Sequence, residues 1–156
     1  MWVKFILFTF QILFSLQFKL NSSFHTQFNL EKTKGDLIAD IAKIQIGKPF
    51  KWKQRGPDSF DCQGLAFYVH KQNGIIIPLG PINQFNEGQK ISKSNLKPGD
   101  LVFFEIKNHG GTHVGVYIGN GKYVHAPSPG QNICIDDLEG FNNWKEKYKG
   151  ARRYWK

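Results

Sequence analysis

The amino-acid sequence predicts an α+β fold in which helices pack on a central antiparallel β-sheet, with a cysteine at the N-terminus of a helix. Three observations predict it. Apolar residues recur at helical spacing first, at Leu37, Ile38, Ile41 and Ile44 and again at Leu65, Tyr68 and Val69. After Leu96-Lys97-Pro98-Gly99-Asp100 the pattern turns strand-like, at Leu101–Ile106, 112–118, 122–126 and Ile133-Cys134-Ile135. Between the helical segments, the turn-forming Gly56-Pro57-Asp58-Ser59 runs into Asp61 and Cys62 just where the second apolar stripe begins. Helices first and strands later segregate into a helical layer on an antiparallel sheet.

The 156 residues, 40% hydrophobic and 21% charged, suit one globular domain with a core of its own, and no repeat or low-complexity tract interrupts them. The formal charge of +9, from 21 Lys+Arg against 12 Asp+Glu, favours a polyanionic partner. Cell-wall polymers, membranes and nucleic acid all qualify on charge alone.

Met1-Trp2-Val3-Lys4 ahead of the apolar run from Phe5 to Phe18 has the proportions of a secretory signal peptide. The run is shorter than the roughly 20 apolar residues of a membrane-spanning helix, which leaves a retained anchor as the alternative. Cleavage is expected near Asn21-Ser22-Ser23, giving residues 1–23 as signal peptide, 24–33 as linker and 34–156 as the domain. Loss of Lys4 and Lys19 still leaves the chain strongly positive.

The segment from Gly35 to Gly47 reads as a capped amphipathic helix with a packing role. Lys48-Pro49-Phe50-Lys51-Trp52 is an extended entry to the Cys62 turn, and the helix starting at Cys62 is expected to end near Asn73-Gly74. A small further helix is expected around Ile82–Glu87. A thiol at a helix start meets the positive end of the macrodipole and unpaired N–H groups, which favour the thiolate and lower its pKa. The alternative is an inert buried thiol.

His113 and His125 flank Gly119-Asn120-Gly121, so hairpin parity decides whether the two imidazoles share a face. A two-residue Asn120-Gly121 loop puts them on opposite faces. A three-residue Gly119-Asn120-Gly121 loop sets His125 opposite Gly115 and makes His113 its diagonal neighbour, and this register is the expected one. A nucleophilic cysteine needs a base, and the base needs a group to fix its tautomer and ring plane. His113 fits the base and His125 the orienting group. Metal binding by Cys62, His113 and His125 is the rival, without a ligand-spacing motif or a fourth ligand to support it.

These segments resemble the NlpC family of papain-like cell-wall endopeptidases. The family's Asp-Cys-Ser-Gly-Leu corresponds to Asp61-Cys62-Gln63-Gly64-Leu65, and its Leu-x-Pro-Gly-Asp-Leu-x-Phe-Phe to Leu96 through Phe104. Its His-Val-Gly-Ile-Tyr-x-Gly is matched by His113 through Gly119, and its His-Ala-Pro by His125-Ala126-Pro127. The resemblance implies a papain-like NlpC fold with Cys62 as nucleophile, His113 as base and His125 as third member. It further implies hydrolysis of bacterial peptidoglycan stem peptides, between D-glutamate and a diamino acid.

Two departures fall on the substrate side. The family's Tyr-x-Trp-Gly-Gly is here Phe50-Lys51-Trp52-Lys53-Gln54, and Gln63 replaces the serine after the cysteine. In members that recognise a free stem-peptide N-terminus, the tyrosine, aspartate and serine hold the amine. Asp61, Gln63, Phe50 and Trp52 are therefore the expected substrate-binding residues, with Gln63 either accepting from an ammonium or narrowing the pocket.

No cofactor, no nucleic-acid partner, no stable membrane insertion after processing and a monomeric state are expected. Cys134 is expected to be a buried free thiol, His70 and His109 surface residues, Asp100 a turn residue, and Lys145–Lys149 and Arg152-Arg153 solvated faces. A secreted, thiol-dependent peptidoglycan endopeptidase is the leading reading, in own-wall remodelling or in antibacterial attack or defence. An amidase or acyltransferase on the same fold, or a catalytically silent wall-binding module, are the alternatives; intact Cys62, His113 and His125 speak against silence.

Overall fold

A computed structural model describes residues 32–106, 111–139 and 148–156. Residues 1–31, which hold the expected signal peptide and most of the linker, and His109 and Lys145–Lys147 lie outside the described residues. Among the described residues, three helices pack on a six-stranded antiparallel sheet, the α+β arrangement expected from the sequence. The helices are α1 (Lys34–Ile44), α2 (Cys62–Lys71) and α3 (Pro81–Glu87). The strands are β1 (Gln89–Ile91), β2 (Leu101–Ile106), β3 (Gly111–Gly119), β4 (Lys122–His125), β5 (Cys134–Asp137) and β6 (Tyr148–Arg153), in the spatial order β1-β6-β2-β3-β4-β5. No helix among the described residues is long and apolar enough to cross a membrane.

A capping box opens α1: the Thr33 hydroxyl accepts the Asp36 N–H at 3.1 Å while the Asp36 carboxylate accepts the Thr33 N–H at 3.0 Å. The face it buries differs from the one its large apolar residues suggest. Ile38, Ala39 and Ala42 are buried, whereas Leu37 is 41% and Ile44 71% exposed. Small residues decide this. A Cβ on Gly35 would stand 2.3 Å from the Pro98 carbonyl and 2.5 Å from the Trp155 ring, so only glycine lets the helix sit this close. The third helix forms as expected, with Pro81 in its first turn behind Gly80.

β2 is buried on both faces. Leu101 and Phe103 join Ile38, Leu65, Val69, Val114, Val116 and Val124 in the core shared with the helices. Val102 and Phe104 pack with Ile91, Tyr123, Leu138 and Ala151 in a second cluster. The sequence reading missed β1 and β6. β6 looks like a solvated basic run, yet it pairs with both β1 and β2. Its arginines are sheathed, unlike the exposed Lys149: Arg152 lies 3.9 Å over the Phe85 ring, and Arg153 makes two 2.7 Å bonds to the fully buried Asp100 carboxylate. Asp100 is thus an internal anchor as well as a turn residue. His70 is buried too, donating Nδ1–H to the Ala66 carbonyl at 2.9 Å, and burial pushes its pKa down to about 4.

The β3–β4 hairpin reaches the expected parity by another route. Its loop is the two-residue Asn120-Gly121, with φ of 53° and 71° as a type I′ turn requires, and Gly119 pairs with Lys122. One extra residue between Tyr117 and Gly119 then shifts the register, so Tyr117 faces Tyr123 and Val116 faces Val124. Continuing that register puts His125 across from Gly115 and His113 on the same face.

Candidate active site

Asp61 takes the N-cap of α2 in extended conformation, which makes Cys62 the first residue of the helix. The carboxylate accepts the Gly64 N–H at 2.7 Å and the Lys53 N–H at 2.9 Å. Gly64 allows the preceding loop to lie against the helix start, because a Cβ there would meet the Gln54 carbonyl at 2.1 Å. The Asp61 N–H donates to that same carbonyl at 3.0 Å.

The half-buried Cys62 packs on the core that includes Val114 of β3, and the nearby backbone of Val114, Gln63 and Cys62 itself pulls its pKa down. That pull favours the thiolate, as expected at a helix start. Burial and the Asp61 charge outweigh it and push the thiol up to about 11, opposite to the lowered value expected from the helix start. The resting sulfur therefore holds its proton. To attack, it must hand that proton to a base, and Val114 is the neighbour in sequence of His113.

His113 Nε2 lies 2.8 Å from His125 Nδ1, and both rings are buried. Burial, then the neighbouring His125, push the His113 pKa down to about 3. His125 is also lowered by burial, against the opposing pull of the Asp136 carboxylate. Both rings rest neutral, so each carries one N–H and one lone pair. Asp136 Oδ2 stands 3.1 Å from His125 Nε2 and can only accept, which places the proton of His125 on Nε2. His125 Nδ1 then accepts from His113 Nε2–H. His113 is left with a lone pair on Nδ1, the form a general base needs.

Sequence reasoning missed Asp136. The signal was the alternation in Cys134-Ile135-Asp136, which puts residues 134 and 136 on one face, but nothing in the sequence gives the register of β5 against His125. In the structure His125 pairs directly with Cys134, whose sulfur lies 3.5 Å from His125 Nε2. Cys134 is a free thiol as expected, though half-buried and turned to the histidine instead of enclosed in the core.

The NlpC/P60 family model matches residues 47–153, from the approach to Cys62 through the last strand. The chain belongs to the NlpC/P60 family. Murein DD-endopeptidase MepH of Escherichia coli strain K12 is 43% identical over 114 residues, covering 70% of this chain and 42% of that protein. A gamma-D-glutamyl-L-lysine dipeptidyl-peptidase of Bacillus cereus is 32% identical over 133 residues, 84% of this chain and 40% of that protein. Among solved structures, NlpC2 from Trichomonas vaginalis superposes with a TM-score of 0.73 at 30% identity, over 80% of this chain and 47% of that one. This chain spans less than half the length of each.

In this member of the NlpC/P60 family the four residues expected on the substrate side lie at or near the start of α2. Phe50 is buried, its ring edge-on to Trp52 at 5.0 Å, and Trp52 is 68% exposed. Asp61 is buried, with one backbone donor on each oxygen. Gln63 gives its side-chain oxygen to the Gly80 N–H, which ties α2 to the start of α3 and leaves its NH2 group as a donor.

Proposed function

We propose that residues 34–156 form a cysteine peptidase that hydrolyses peptidoglycan stem peptides between D-glutamate and a diamino acid. The observation that carries this reading is the juxtaposition of Cys62, first in α2 and packed against the core that includes Val114, with the His113–His125 pair at 2.8 Å. His113 Nδ1 takes the Cys62 proton as the sulfur attacks the carbonyl. The N–H groups at the start of α2 stabilise the oxyanion. His113 then protonates the leaving amine, and water hydrolyses the thioester. The names of the Escherichia coli and Bacillus cereus relatives support a murein peptide as substrate. The signal-peptide pattern of residues 1–23 supports secretion, which mass analysis of exported protein checks: material still beginning at Met1 counts against it.

Incubation of the full chain with defined muropeptides, followed by mass spectrometry, tests the activity. Fragments split after D-glutamate are expected. Release of intact stem peptide identifies an amidase, and transfer to an added amine an acyltransferase. Binding without turnover identifies a wall-binding module. Any of these three overturns the proposal.

A further inference from the structure

His125, Cys134 and Asp136 bring an imidazole nitrogen, a sulfur and a carboxylate oxygen within 4.8 Å of one another. The pairing of β4 and β5 builds the group: Cys134 lies directly across from His125, and Asp136 follows two residues on, on the same face. His125 Nε2 stands 3.1 Å from Asp136 Oδ2 and 3.5 Å from Cys134 Sγ. In a tetrahedral zinc site, with metal bonds of about 2.05 Å to nitrogen, 2.3 Å to sulfur and 2.1 Å to oxygen, the N···O and N···S edges are about 3.4 and 3.6 Å. The two separations from His125 already stand near those edges. His125 is buried, whereas Cys134 and Asp136 are half-exposed, which opens a path from solvent and a fourth position for water. This set differs from Cys62, His113 and His125, the metal candidates of the sequence. A nitrogen, sulfur and oxygen donor set suits zinc and disfavours magnesium or calcium, which take oxygen ligands.

We propose that His125, Cys134 and Asp136 form a site for zinc or a similarly thiophilic divalent cation, and that its occupancy switches the peptidase off. The effect on turnover rests on the proposed function; binding of the ion does not. Binding breaks the Cys134 S–H bond and releases that proton to solvent as the metal–sulfur bond forms. A metal on His125 Nε2 displaces the proton there to Nδ1, facing His113. His113 Nε2 must now accept, so its own proton moves to Nδ1. Each ring keeps one proton, but the lone pair that would take the Cys62 proton is gone. The ion acts through the tautomer of a ring it does not touch.

Two measurements on the full chain test this. In a Cys62→Ala background, cobalt(II) should give a thiolate-to-cobalt charge-transfer band that magnesium does not displace and zinc does. Adding Cys134→Ser should abolish it, and adding Asp136→Asn should weaken cobalt binding at least by the roughly 10- to 100-fold that loss of an outer-sphere partner costs. In the native chain, zinc should inhibit turnover reversibly to chelator. The zinc concentration for half-inhibition, each variant measured against its own metal-free rate, should rise by about the same factor in Cys134→Ser. No band in Cys62→Ala, a band that survives loss of Cys134, or unchanged zinc sensitivity in Cys134→Ser overturns the site. If the chain has no peptidase activity, the proposed function fails while the cobalt spectra still decide the site.

Discussion

The imidazoles of His113 and His125 are joined through Nε2 and Nδ1 at 2.8 Å, on adjacent strands of a hairpin whose extra residue puts them on one face. That link makes His113 dependent on its partner for orientation and tautomer but not for existence as a base. Cys62→Ala and His113→Ala are each expected to remove measurable turnover without unfolding the chain, since nucleophile and base act as a unit. His125→Ala should keep a measurable residue of activity. Equal loss in all three folded variants would show that His125 does more than orient.

Asp136 acts one step further out. Asp136→Asn offers an NH2 donor to His125 Nε2 and so favours the opposite tautomer in both rings. A drop in kcat of about tenfold or more with KM held is expected, with partial recovery in Asp136→Glu. An unchanged kcat in Asp136→Asn would refute the proton arrangement.

His70 sets an acid limit on stability. Its folded pKa of about 4 lies below its ordinary 6.5, so the unfolded chain binds the extra proton first. Stability is full above about pH 6.5 and is lost as pH falls toward 4, by about 2 kcal/mol at pH 5. Urea unfolding at pH 7 and pH 5 should show this loss in the native chain and a smaller one in His70→Leu. Equal losses in both would exclude His70 as the source.

The Asp100–Arg153 pair holds the last strand to the turn before β2. Arg153→Met leaves the fully buried Asp100 charge without its cation and should cost about 3–5 kcal/mol in urea unfolding. Asp100→Asn with Arg153→Met should restore part of that. A loss below about 1 kcal/mol in the single variant would mean that the pair behaves as a surface ion pair.

Substrate choice turns on Phe50 and Gln63. Phe50 has no hydroxyl, and the Gln63 oxygen is engaged by Gly80, so one or two charge-assisted bonds of about 1.5–3 kcal/mol each are missing for a substrate ammonium. An N-acetylated stem peptide should be cut with kcat/KM within about tenfold of the free peptide. A preference for the free amine of a hundredfold or more would mean that another residue supplies those contacts.

The parts of this molecule legible in its sequence are those with a local cause. Asp61 and Cys62 announce a helix start because cap and stripe are adjacent in the chain, and β2 shows as an apolar run because both its faces are buried. The face of α1 is only partly legible because Gly35, Ala39 and Ala42 join Ile38 in it, and their contribution is close approach, not hydrophobic bulk. β6 was misread because Arg152 and Arg153 find Phe85 and Asp100, partners many residues away. Alternation puts Cys134 and Asp136 on one face, but only the pairing of β5 with β4 brings them to His125, and the sequence does not give that register.

The sheet order also dictates when this protein can fold. Among the described strands β6 comes last in the chain, yet it lies between β1 and β2, and β1 pairs with β6 alone. On the ribosome, a chain lacking Tyr148–Arg153 carries an unpaired flank on β2, a β1 with nothing to join, and a buried Asp100 without its arginine. Sheet closure therefore waits for Tyr148–Arg153 to be made.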